Sequence, residues 1–159
     1  MADQCQTLDT FYLNWKRYQD HLKDAIVLLS AEQLALRAAP DFRTVGQTLS
    51  HIIGARVRWF ARFLGEQPGN PLTPDIPDAP VGDVVELAHG LDQSWDLMSE
   101  ALARWSPDDM QKTFAIERRG QHYELSRGWV VWHLLEHDLH HGGEISLMLG
   151  MNGLKAPDV

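Results

Sequence analysis

Apolar residues recur along this chain at three- and four-residue steps, in tracts long enough to predict helices. Leu8, Phe11, Tyr12, Trp15, Tyr18, Leu22, Ala25, Ile26 and Leu29 form one stripe, predicting a first helix from about Leu8 to Leu29. Ser30-Ala31-Glu32-Gln33 has the capping-box pattern and starts one more short turn, which Pro40 ends. Thr44-Val45-Gly46-Gln47 repeats the pattern and opens a second helix. Its stripe is Val45, Leu49, Ile52, Trp59 and Phe63, and Gly65 is placed to stop it. A third helix from about Val81 to Trp105 carries Val84, Leu87, Leu91, Trp95, Met98 and Leu102, and Ser106-Pro107 closes it. Ser126 caps a fourth helix from about Arg127 to Leu149, followed by Gly150 and Gly153 as stop signals.

Two segments break the helical pattern. Glu66 to Pro80 holds Pro68, Pro71, Pro74, Pro77 and Pro80, so it is extended and not helical. At ~3.3 Å per residue it reaches roughly 50 Å, whereas a 20-residue helix is ~30 Å long. Such a linker can cross the whole length of a bundle, which a tight antiparallel turn would not need. The second segment, Thr113 to Leu125, changes character: Phe114-Ala115-Ile116, then Arg119-Gly120, then His122-Tyr123-Glu124 read as a small hairpin. The expected architecture is an all-α, antiparallel four-helix bundle with a long second linker, in a single domain over residues 1–159.

Composition narrows the function classes. Residues total 159, with 14 basic and 22 acidic side chains and a net charge of −8. That balance disfavours nucleic acid, whose phosphates are bound by clustered Lys and Arg, and it disfavours anionic lipid equally. Hydrophobic content of 44% with 23% charged residues is that of a globular protein. No tract approaches the ~18 apolar residues of a membrane span, and Met1-Ala2-Asp3-Gln4-Cys5-Gln6 lacks the look of a targeting segment. One cysteine, Cys5, ahead of the first helix, excludes an intrachain disulfide framework and reads as an inert surface thiol. A cytoplasmic location is the expectation.

Histidine is what changes the picture. Of eight, His133, His137, His140 and His141 fall within nine residues of the fourth helix. Residues four apart lie about 40° apart on a helix, one turn up. Val130, Leu134, His137, His141, Ile145 and Met148 therefore share the core-facing side. Two imidazoles on successive turns can reach one ion at about 2.0–2.1 Å per bond. The spacing leaves alternatives, because His133 and His137 are also four apart. His140 reads as a rim residue. Glu144 is either a solvated charge or a partner that orients a ligand imidazole. His51, the only histidine of the second helix, is the natural third ligand, although periodicity places it beside the apolar stripe. His89 and His122 read as ordinary rim or core residues. His137-Asp138-Leu139-His140-His141 also looks like a loosened His-Glu-x-x-His of zinc proteases, with a shorter acid and no further acid ligand. Trp59, Trp95, Trp129 and Trp132 read as packing residues of the core or of a dimer. No nucleophile elbow, phosphate loop or dinucleotide fingerprint is present.

The stretch Trp132-His133-Leu134-Leu135-Glu136-His137-Asp138-Leu139-His140-His141-Gly142-Gly143-Glu144-Ile145 resembles the C-terminal motif of DinB-like four-helix proteins, roughly His-x-x-x-His followed by Arg-Gly-Gln. Ala39-Pro40-Asp41-Phe42, then Thr44 to Ile52, resembles their second-helix entry, with Phe42 where Trp is frequent. The resemblance implies an up-down-down-up bundle and a divalent metal held by one histidine of the second helix and two of the fourth. By motif these fall on His51, His137 and His141. It also implies relatives that are thiol-dependent enzymes, among them mycothiol-dependent isomerases and bacillithiol transferases, often homodimeric. Gly142-Gly143-Glu144 departs from Arg-Gly-Gln and removes an anion contact. Three imidazoles with an open position are the arrangement of catalytic zinc, with nickel second among the metals that suit imidazole. The expectation is a metal-dependent hydrolase or a low-molecular-weight-thiol-dependent transferase acting on a small molecule. The alternative is a non-catalytic metal-binding or stress-associated binding protein.

Overall fold

The computed structural model describes residues 3–67, 83–118 and 120–157. Side-chain caps begin most of its helices. α1 spans Asp3–Ile26, so Cys5 falls inside it and not ahead of it. α2 (Ala31–Leu34) starts on Ser30 and α3 (Val45–Val57) on Thr44, each with a complete capping box. α3 runs on into a π-helical segment, Arg58–Phe63, in which the Leu64 amide bonds the Trp59 carbonyl five residues back. Gly65 then turns the chain out at a φ of 71°. The prolines at 68, 71, 74, 77 and 80 lie outside the described residues. Glu66 is held by Arg104 at 2.6 Å and by the Trp105 indole at 3.0 Å.

α4 (Val84–Arg104) begins on the Asp83 cap. Ser106 does not merely close it, because its hydroxyl caps a further short helix, α5 (Pro107–Gln111). β1 (Thr113–Arg118) and β2 (Gln121–Ser126) then pair antiparallel, with Thr113 opposite Ser126 and Arg118 opposite Gln121. Gly120, at a φ of 74°, supplies the left-handed residue that the turn requires. The all-α expectation is thus corrected. The protein is mostly helical but carries a two-stranded sheet, in the segment that breaks helical periodicity. Ser126 ends β2 and caps α6 (Arg127–Met151).

α3 packs against α4 and α6, and α1 against α4. Two apolar clusters fill the interior. One gathers Leu22, Ile26, Leu49, Ile52, Leu91, Ile145 and Leu149. The other gathers Trp15, Trp59, Phe60, Trp95, Met98, Val130 and Leu134. Buried polar side chains lie at the boundary between them on four helices: Gln19 on α1, Arg56 on α3, Ser94 on α4 and Asp138 on α6. Phe11, expected in the α1 stripe, is 60% exposed; the buried part of that stripe begins at Trp15.

Candidate metal centre

Two helix starts place the histidines. The Thr44 cap sets the phase of α3 so that His51 lies beside Leu49 and Ile52, half-buried and not at the centre of the stripe. The Ser126 cap sets α6, on which His137 and His141 follow on successive turns. The structure brings His51, His137 and His141 together, with one ring nitrogen of each within 4.8 Å of the others. The Nε2 atoms of His51 and His137 are 3.1 Å apart. Two nitrogens bound to one tetrahedral ion at ~2.0–2.1 Å would be about 3.3 Å apart. The other ring nitrogen of His137, Nδ1, is buried with no hydrogen-bond partner among the described residues. The group can hold a metal ion.

Glu144 is not simply solvated. Its Oε2 lies 2.8 Å from His141 Nδ1, which orients that ring and leaves Nε2 for the cluster. His140 reaches the same carboxylate at 3.4 Å from the exposed side. His133 is drawn elsewhere: its ring stacks on Trp129 at 4.8 Å and meets Trp59 edge-on. Trp59 and Trp95 belong to the core, Trp129 is half-exposed over His133, and Trp132 is exposed. His89 and His122 are exposed, away from the cluster.

Burial is the main cause that pushes His51 down to about 4, with Arg43, His141 and Arg58 adding to it. Burial likewise pushes His137 down to about 3, assisted by His141 and His51. Both are neutral at pH 7, the state a cation needs. In the unfolded chain they return to about 6.5. Between about pH 6.5 and 4 the unfolded chain therefore binds more protons, and stability declines as pH falls through that window. The thermal midpoint of chelator-treated protein should fall from pH 7 to pH 4 more steeply than that of the His51→Gln/His137→Gln double variant. Parallel curves would show that these rings are not responsible.

Asp138 points away from the cluster. Its carboxylate is fully buried and takes Arg56 Nη2 at 2.7 Å, Arg56 Nε at 3.1 Å and the Trp15 indole at 2.8 Å. It cannot serve as the base of a protease-like motif, because it faces the ion pair and not the open side of the histidines. Arg56 also donates to Gln19 Oε1 at 2.8 Å. Sequence reading missed Arg56, although a signal existed. Arg56 occupies the α3 stripe between Ile52 and Trp59, just as Asp138 occupies the α6 stripe between Leu134 and His141. Opposite charges, each lone in an apolar stripe, are expected to pair.

Gly142 explains the departure from Arg-Gly-Gln. A Cβ there would meet the Tyr18 hydroxyl and lie 2.8 Å from Tyr18 Cζ, so an arginine has no room. Gly142→Ala should cost about 1–3 kcal/mol, read as a lower thermal midpoint, because the buried Tyr18 ring must shift. An unchanged midpoint would contradict that close approach.

Fold and cluster together define a mostly helical protein with a three-histidine group, able to hold a metal ion, set between α3 and α6. Residues 10–145 match the DinB superfamily, and the chain belongs to that family. A crystal structure of a DinB-like protein from Bacillus cereus ATCC 10987 shares the fold, with a TM-score of 0.73 at 22% identity. The similarity covers 95% of this chain and 96% of that one. No curated protein matches the chain.

Proposed function

We propose that this protein is a metal-dependent enzyme in which His51, His137 and His141 hold one divalent transition ion, zinc before nickel. The observation that carries this reading is the convergence of three imidazoles from two helices, in a group that no fourth donor joins among the described residues. That donor set suits catalytic zinc, which keeps a coordination position for a substrate. The ion would supply Lewis acidity to a small-molecule hydrolase or a low-molecular-weight-thiol-dependent transferase. This chain's residues orient and exclude. Glu144 fixes the His141 ring, and the buried polar layer behind His137 fixes α6 against α3.

The same reading includes an up-down-down-up four-helix arrangement. It is supported by α3 and α4 contributing their N-terminal halves to the cluster that receives the C-terminal halves of α1 and α6. It also includes a cytoplasmic homodimer that binds neither nucleic acid nor membrane. The exposed Trp132 and Leu139 on α6 support a second copy, and no helix among the described residues is long and apolar enough to cross a membrane.

Elemental analysis of untagged purified protein tests the site, with about one transition ion per chain expected. Protein that retains none, even after incubation with zinc or nickel, would overturn the reading. A panel of low-molecular-weight thiols then separates the classes. Turnover only with an added thiol marks a transferase, and turnover without one marks a hydrolase. Full metal content with no saturable binding of any thiol or small anion would favour the non-catalytic alternative.

A further inference from the structure

A cleft of about 490 Å³ opens beside the histidine group, between the segment 38–43 and the C-terminal half of α6. Its size is that of a small-molecule site. Glu144 belongs to both places, since it lines the cleft and holds His141. Phe42 and Leu147 line it too, and they are 59% and 58% exposed, while Met148 beside them is buried. Two large exposed apolar side chains on one concavity are surface that an apolar ligand would cover.

Arg43 is the one cation among the described residues of this lining, and its charge reaches His51. A divalent ion held by three imidazoles would have neither of its charges compensated by a ligand carboxylate, so the neighbouring histidine group would favour an anion as well. Asp41 and Glu144 on the same lining repel negative charge, which penalises a phosphate or polyanion more than a single carboxylate. The chemistry that fits is one carboxylate on an apolar body, not a phosphate or a polyanion.

We propose that this cleft is the substrate subsite, that it takes a small monocarboxylate with an apolar body, and that Arg43 binds the carboxylate over a floor of Phe42, Leu147 and Met148. The role as substrate subsite rests on the reading of the histidines as a metal site; the carboxylate site itself does not.

The test is calorimetric titration of the full chain with phenylalkanoates, from phenylacetate to 6-phenylhexanoate, against the matching alcohols. Zinc content is measured on the same samples. At least one acid should bind saturably and about 10-fold or more tighter than its alcohol. Arg43→Gln should remove that preference with zinc content unchanged, and Phe42→Ala should weaken acid and alcohol alike. No saturable acid binding, equal binding of acid and alcohol, or wild-type binding by Arg43→Gln would each overturn the proposal. If the wild-type chain retains no zinc, the metal reading fails by itself. The same Arg43 dependence is still expected in the metal-free chain, and its absence there would sink the cleft separately.

Discussion

Asp138→Ala should be the most destabilising of the single substitutions considered. Removing one partner of a buried ion pair leaves the other charge in the interior without compensation, which costs about 3–5 kcal/mol. For a domain of this size each kcal/mol lowers the thermal midpoint by roughly 2–4 °C, so a fall on the order of 6–20 °C is expected. Among the described residues Arg56 would keep hydrogen bonds only to Gln19 Oε1 at 2.8 Å and, at longer range, to Ser94 Oγ at 3.4 Å and the Leu91 carbonyl at 3.5 Å. The Trp15 indole would lose its acceptor too. The paired change Arg56→Met/Asp138→Leu should recover part of the loss, since well-packed apolar substitutes for a buried pair are often tolerated. A midpoint within 2 °C of wild type for Asp138→Ala would mean that the pair is not closed off from water in solution.

His137→Ala should abolish metal retention while leaving the fold intact. It removes one corner of a triangle of rings whose centres lie 4.8 Å (His51–His137), 4.8 Å (His51–His141) and 4.4 Å (His137–His141) apart. The loss should exceed the ~10–100-fold that outer partners of a ligand contribute. Two readings together check it. Metal content falls to background, and the rise in thermal midpoint produced by added zinc disappears, a rise worth ~4 kcal/mol when zinc exceeds its dissociation constant 1,000-fold. His133→Ala is the control, because that ring is stacked on Trp129. Metal lost from His133→Ala and kept by His137→Ala would move the site one turn along α6.

Much of the helical frame was legible from local chemistry. Ser30, Thr44 and Ser126 announce helix starts, and each does so because its hydroxyl accepts an amide three residues on. The histidine spacing on α6 was legible for the same reason, since four-residue steps are a property of one helix. Legibility failed where residues distant in sequence decide. Arg56 and Asp138 are 82 residues apart, and neither looks unusual until both are seen inside apolar stripes. Asp138 read more easily as part of a motif with its neighbours than as a partner for α3. Gly142 looked like a plain departure from Arg-Gly-Gln because nothing local reveals the Tyr18 ring above it. Periodicity names a face but not what covers it, hence the exposed Phe11. The cleft between segment 38–43 and α6 joins two such faces and had no one-dimensional signature.

The Arg56–Asp138 contact and the His51–His137 contact join the same two helices, about one turn apart on α3 and one residue apart on α6. Sliding α6 by a turn would leave guanidinium and carboxylate stranded among hydrocarbon, so misaligned versions of the assembly are strongly disfavoured. The nitrogens are consequently assembled by folding and not by the ion. Under the proposed reading of the histidines, a cell starved of transition metals would keep a folded, reloadable pool of this protein, ready as soon as supply returned.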